Sequence, residues 1–592
     1  MFDKLIKNCN LVDGTGAKAR PADLAIQDGL IAEIFDGQAP SNVTASKTID
    51  AQGELTTPGF VDVHTHYDGQ ATWDNLLAPS AYHGVTTAIM GNCGVGFAPV
   101  RPDSHQFLVD LMEGVEDIPG SALADGIKWS WETFPEYLDA LDRDNRAINI
   151  AAQIPHGALR AYVFGDDADV NAPATAKQIA TMADLAGEAV EAGALSFSTN
   201  RIPMHTSVTG EPVPGTFAEA GELVEILHAV KRAGSGLVQV VPAGLMGEDP
   251  DAPLRELELY RQLSLETGCA IAFLTGQNHV NPEMYHLVLE ETEKANAQGA
   301  RLCPSISPGG GGLLMSWDTF NPFADRPSYI EVAHLPLIER IKELCTPARR
   351  AKIIAEPTTA PMLLNARMIL MSSLDCTFAW GNVPVFEPEP SASLAHRMER
   401  TGENADTAIY DSLCEATLDS DPENGNPGFL KVFMSGYKGG DFRATEQLLQ
   451  NSSTVIGSSD GGAHVNVICD ASYPSFMLQH WVRDRDRGMK LPLELVVKMM
   501  TQDPSTLYGL SDRGTIEKGK RADLNVIDLP KLCMKAPRVI NDLPSGAPRL
   551  MQRASGYKMT MVGGQATFID DTDTGARPGT LFRLNREAKT RT

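Results

Sequence analysis

The sequence predicts an α/β fold: a (β/α)8, TIM-like barrel with a small β-sandwich domain built from both chain termini. Three observations carry that expectation. Eight short apolar runs alternate with helical stretches across residues 57–510, the pattern of parallel strands joined by helical crossovers. The flanking segments, 1–56 and 511–592, read as short strands and turns of matching texture, so both ends are expected to build one small domain. The length, 592 residues, exceeds what a single core normally serves.

In chain order, residues 24–26 and 30–32 read as a hairpin around Gln27-Asp28-Gly29, because Asp-Gly supplies the positive φ of a tight turn. The first barrel strand is expected at 59–63. The others follow at 85–90, 148–154, 195–199, 237–241, 270–275, 302–305 and 454–456, with helices at 176–192, 218–233 and 253–267. Between the seventh and eighth strands lies an insertion of about 308–451 that opens with Pro308 and Gly309 to Gly312. A connection that long needs structure of its own, and its place on the catalytic face of a barrel suits a lid. The C-terminal part has turns at Asp512-Arg513-Gly514 and Glu517-Lys518-Gly519. It also has a strand at 522–528 and a hairpin signal at 557–562 followed by Gly563-Gly564.

Composition narrows the classes. Hydrophobic content of 43% and charged content of 21% are those of a globular enzyme. A net charge of −26 argues against nucleic acid or an anionic membrane as partner. No apolar run is long enough for a membrane span, and the N-terminus lacks a secretory pattern. Nine cysteines without CxxC pairs fit a reducing compartment, so a cytoplasmic protein is expected. Its partner would be a small-molecule substrate, and assembly of identical chains is left open.

The chemistry collects at the ends of the strands. His64 and His66 follow the first apolar run at i and i+2, so their side chains share one face and can share one metal ion. Cys93, in the glycine-bounded turn after the second strand, could ligate or bridge. After the third strand, His156 could face the substrate and Arg160 could hold an anion or form a structural ion pair. Arg201 and His205 belong to a proline- and glycine-rich loop expected to line a substrate pocket. After the eighth strand comes Ser458-Ser459-Asp460-Gly461-Gly462-Ala463-His464. Asp460 there suits a carboxylate that touches the metal, takes a proton from water and passes it to a leaving nitrogen.

Five stretches together resemble the amidohydrolase superfamily, and within it the N-acyl-D-amino-acid deacylases: His64-Thr65-His66, Gly91-Asn92-Cys93-Gly94, residues 193–199, Ser459-Asp460-Gly461 and the tail around Gly514 and Gly519-Lys520-Arg521-Ala522-Asp523. The resemblance implies that His64, His66, Cys93 and Asp460 are metal ligands and that Asp460 is the catalytic acid and base. It also implies histidines after the fifth and sixth strands and a substrate-binding lysine. This chain has Gln239 and then Gln277-Asn278 in those regions, neutral amides suited to a substrate carbonyl or amide. One zinc ion is therefore expected, with His156 or His464 to help stabilise the oxyanion. The function expected is metal-dependent hydrolysis of a non-peptide amide C–N bond. The alternatives are opening of a cyclic amide or lactone, deamination on the same site, or a degenerate barrel that only binds.

Overall fold

The structure, a computed structural model, describes residues 1–165 and 169–584. Eight strands line up in chain order: β1 (Phe60–Asp62), β2 (Val85–Met90), β3 (Asn149–Ala152, continuing as Ile154–Pro155), β4 (Phe197–Asn200), β5 (Leu237–Val241), β6 (Ala270–Leu274), β7 (Leu302–Ile306) and β8 (Val455–Ile456). Each pairs in parallel with the next. The ring closes just beyond β1 and β8. There the Asp460 N–H donates to the His64 carbonyl at 3.1 Å and the His66 N–H donates to the Gly461 carbonyl at 2.8 Å.

Buried on both faces, the strands are nearly continuous apolar runs; every residue of β2 and β5 is buried. The crossover helices lay apolar stripes on them. In Ala220–Arg232 the stripe is Leu223, Ile226, Leu227 and Val230, at the i, i+3, i+4, i+7 spacing that makes one helix face. Helix Ala176–Ala192 starts at a capping box between Thr175 and Gln178 and stops at Gly193, φ 121°.

Strands from both chain ends are joined by hydrogen bonds into one nine-stranded sheet. The order runs Thr572–Asp573, Gln565–Ile569, Tyr557–Val562, Leu524–Ile527, Leu55–Pro58, Phe2–Leu11, Arg20–Gln27, Leu30–Asp36, with Ala45–Asp50 also pairing Phe2–Leu11. Leu55–Pro58 is the link, parallel to Phe2–Leu11 and antiparallel to Leu524–Ile527. The sheet keeps its own apolar cluster, with Leu11, Leu24, Leu524 and Met561 at its centre. Residues 579–582 leave it to run along β3, Phe582 N–H donating to the Ile150 carbonyl at 2.7 Å. Residues 585–592 of the expected C-terminal segment lie outside the described residues.

The insertion after β7 folds around its own core of Trp317, Phe323, Tyr410 and Leu413. Its antiparallel sheet has the order Gly312–Met315, Phe429–Phe433, Thr377–Trp380. It touches the barrel beyond β6, where the Gln277 carbonyl accepts from Gly436 N–H at 2.9 Å and Gln277 Oε1 accepts from Lys438 N–H at 2.9 Å. That is the face onto which the strands deliver their C-terminal residues.

Candidate active site

His64 and His66 leave β1 on one face, and their Nε2 atoms converge on the Cys93 thiol at 3.3 and 3.7 Å. Asp460 Oδ1 approaches the same two nitrogens at 3.1 and 3.7 Å. The ligand atoms of His64, His66 and Cys93 all lie within 4.8 Å of one another and are buried. A tetrahedral sphere with ligand bonds of roughly 2.0–2.3 Å has edges of roughly 3.3–3.8 Å, which the separations of Cys93 Sγ from the two imidazole nitrogens match, with Asp460 Oδ1 against the same nitrogens. Imidazole, thiolate and carboxylate are also the donor set zinc takes.

Backbone devices hold the groups there. Cys93 sits at φ 55°, Asp460 at φ 49° and His464 at φ 48°, left-handed conformations that cost energy in residues other than glycine and cluster at functional sites. Gln239 Oε1, one of the amides expected to meet substrate, instead accepts the Cys93 N–H at 3.1 Å and fixes that turn. Gly91, φ 83°, has no alternative, since a Cβ there would lie 2.3 Å from the Gln153 carbonyl oxygen. Ser459 Oγ lies 2.8 Å from both oxygens of buried Asp62 and from the His64 carbonyl. One hydroxyl thereby ties the Asp460 loop to β1.

The electrostatics suit a cation. Burial opposes ionisation of Asp460, but the His64 and His66 imidazoles outweigh it and hold the carboxyl well below the usual range. Burial lowers His66 to about 4, leaving a neutral ring with a free lone pair. Burial, then the carboxylates of Glu116 and Asp460, push the Cys93 thiol well above its ordinary value, so it ionises only against a positive charge. His205 reaches the cluster from its loop, lowered to about 3 by burial and then by His464 and His66.

His464 also joins the cluster, but three expected substrate contacts do not. His156 gives both ring nitrogens to internal partners, Thr199 Oγ1 and Glu222 Oε1, each at 2.9 Å. Arg160 is bound by Glu222 at 2.5 Å and by the carbonyls of Val170 and Ala172. Arg201 pairs with Glu256 at 2.6 Å and donates to the Ala218 carbonyl. A buried cation or imidazole needs a partner, and these are satisfied inside the protein. Gln277 and Asn278 are likewise engaged: Gln277 with both backbone atoms of Lys438, and Asn278 Oδ1 with Asn281 N–H at 2.7 Å.

Two groups near the cluster carry no sequence signal of function. Glu116 ends helix His105–Glu116 and is 1% exposed, with Oε2 3.4 Å from His66 Nε2 and 3.6 Å from His464 Nε2. Lys431, on the middle strand of the insertion, is buried beside an aromatic cavity walled by Trp380, Phe386, Phe433, Tyr473 and Phe476. Among the described residues its Nζ has long partners, the Gly312 carbonyl at 3.5 Å and Asp470 Oδ1 at 3.7 Å, and lies 5.6 Å from the Phe433 ring centroid. Cys469 and Asp470 line both this cavity and the smaller one that reaches Asp460.

Among the described residues no helix is long and apolar enough to cross a membrane. A profile of the amidohydrolase family matches residues 47–568. A D-aminoacylase from Alcaligenes xylosoxydans xylosoxydans is 35% identical over 586 residues, 98% of this chain and 97% of the relative. Two solved structures share the fold. A D-aminoacylase superimposes with TM-score 0.63 at 23% identity, covering 98% of this chain and all of that one. The N-acyl-D-glutamate deacylase of Bordetella bronchiseptica, solved with zinc and a phosphonate mimic of the tetrahedral intermediate, gives 0.62 at 24% with the same coverage. The chain therefore belongs to the amidohydrolase family, among its D-aminoacylase-like members, and is a metal-dependent hydrolase of C–N bonds other than peptide bonds.

Proposed function

We propose that this chain is an N-acyl-D-amino-acid deacylase whose zinc ion is held by His64, His66, Cys93 and Asp460. The observation that carries the reading is that Asp460 Oδ1 and Cys93 Sγ flank the same two imidazole nitrogens, at 3.1 to 3.7 Å. The 35% identical D-aminoacylase supports the substrate class. When bound, the cation supplies a Lewis acid that acidifies water and polarises an amide carbonyl. Asp460, kept ionised by its imidazole neighbours, accepts a proton from the attacking water and returns it to the departing amine nitrogen. Neutral His205 can donate one ring N–H to the carbonyl oxygen as that atom gains charge. The insertion, anchored at Gln277, shields the site from bulk water.

Lys431 is the group proposed to take the substrate's carboxylate. It replaces a lysine absent after β6, and its weakly engaged ammonium faces a cavity suited to an apolar side chain. Zinc-loaded protein should hydrolyse N-acetyl-D-amino acids with apolar side chains in preference to their L forms. It should lose turnover on chelation and regain it with zinc. Inertness toward every linear N-acyl amino acid, with turnover of cyclic amides, would replace this reading with ring opening. Lys431→Met should raise KM for N-acyl amino acids at least tenfold and leave N-acyl amines without a carboxylate unaffected. Equal effects on both classes would remove Lys431 from the carboxylate's recognition.

A further inference from the structure

Glu116 is the strongest unexplained group in the molecule. Its carboxyl group is 1% exposed, and among the described residues Oε1 has no hydrogen-bond partner. Among the described residues no lysine or arginine is recorded pairing with it; its neighbours are His66, His464 and the Cys93 thiol. A buried carboxyl oxygen left without a hydrogen-bond partner is costly, so its placement needs a reason.

The atom it faces supplies one. A carboxylate that merely orients a ligand histidine accepts from the ring nitrogen turned away from the metal. Glu116 instead approaches His66 Nε2, at 3.4 Å. That nitrogen also faces Cys93 Sγ and Asp460 Oδ1, each at 3.7 Å. The outer nitrogen, His66 Nδ1, has no hydrogen-bond partner among the described residues. Glu116 thus approaches the inner side of the His66 ring from outside the His64, His66 and Cys93 set, whose ligand atoms all lie within 4.8 Å of one another.

Its position is also built into the backbone. The Glu116 carbonyl accepts the His464 N–H at 2.5 Å, locking the end of its helix to the loop that carries Asp460. Asp117, at φ 48°, turns the chain away immediately afterward. The barrel meanwhile offers amides where further ligands could stand: Gln239 supports the Cys93 turn and Gln277 holds the insertion.

We infer that Glu116 is a ligand of the metal centre through its carboxylate, a donor delivered by the helix after β2 instead of by β5 or β6. The inference rests on reading His64, His66, Cys93 and Asp460 as a metal centre.

Zinc affinity of the purified full chain, measured by competition with a chromophoric chelator, tests this without recourse to activity. Glu116→Gln should bind zinc on the order of 100-fold more weakly than the wild type, a loss of the size metal-site partners typically produce. Glu116→Asp should recover part of that loss. Glu222→Gln, at a buried carboxylate bound by His156 and Arg160, should bind as the wild type does. Unchanged affinity in Glu116→Gln would overturn the inference while leaving the metal centre standing; absence of zinc binding by the wild type would overturn both. If Glu116→Gln does not fold, anomalous diffraction from zinc-loaded wild-type crystals decides. A Glu116 oxygen about 2.0–2.2 Å from an ion supports the assignment, and one beyond about 3 Å from every ion ends it.

Discussion

Glu387→Gln tests how the insertion is fastened over the barrel. Glu387 Oε2 accepts from Arg485 Nε at 2.9 Å and lies 3.2 Å from His480 Nε2, while Oε1 accepts the Phe442 N–H at 2.9 Å. Both Glu387 and Arg485 are buried, and the guanidinium lies 4.3 Å from the Trp481 ring centroid. Burial alone would raise the carboxyl, but the bonds from His480, Arg485 and Phe442 outweigh it and bring it down to about 2. The folded value lies below the unfolded one. The group's stabilisation is therefore fully present above pH of about 4.5 and is lost as pH falls through about 2. At 1.36 kcal/mol per unit, the shift corresponds to about 3 kcal/mol at neutral pH and about 2 kcal/mol at pH 3.5. Mutational experience with broken buried pairs gives a similar figure, about 3–5 kcal/mol. The assay is urea unfolding of wild type and Glu387→Gln across pH 7 to 3.5, followed by tryptophan fluorescence. The gap between the two should be largest at neutral pH and narrow on acidification. A gap below about 1 kcal/mol at pH 7, or one that stays constant into acid, would refute the reasoning.

Asp460→Asn should lower kcat by about 10²- to 10⁴-fold, the usual worth of a positioned proton-transfer group, with an unchanged circular dichroism spectrum. A loss under tenfold would deny Asp460 that role. Gln239→Leu should leave the Cys93 N–H buried and unpaired, destabilising the protein by about 1–3 kcal/mol and weakening zinc binding in the chelator competition. Glu222→Gln should reduce stability, because buried Arg160 and His156 lose a charged partner, while kcat/KM stays within a fewfold. A large fall in kcat/KM at unchanged stability would return His156 and Arg160 to the substrate.

The parts legible in the sequence were those written in local pattern. Residues 85–90 and 176–192 become a strand and a helix with those bounds, since a run rich in β-branched residues and a capped helical repeat leave little choice. His64, His66, Cys93 and Asp460 were readable because each follows a barrel strand, and closure of a barrel brings such ends together. What depended on distant partners was not readable. Nothing near Arg160 announces Glu222, 62 residues away, so a structural cation looked like a substrate contact. Glu116 reads as an ordinary acidic residue at a helix end until the fold turns it inward. Lys431 lies in an insertion with no repeating pattern to place it. The strand content of both chain ends was visible in sequence, whereas the pairing of Leu55–Pro58 with both of them was not.

The most direct measurement is the absorption spectrum of the cobalt(II)-substituted protein. A cation held by Cys93 together with His64, His66 and Asp460 predicts a thiolate-to-cobalt charge-transfer band that disappears in Cys93→Ser and visible bands that change in His64→Asn. Cobalt bound without a thiolate band, or a band indifferent to Cys93→Ser, would contradict the account.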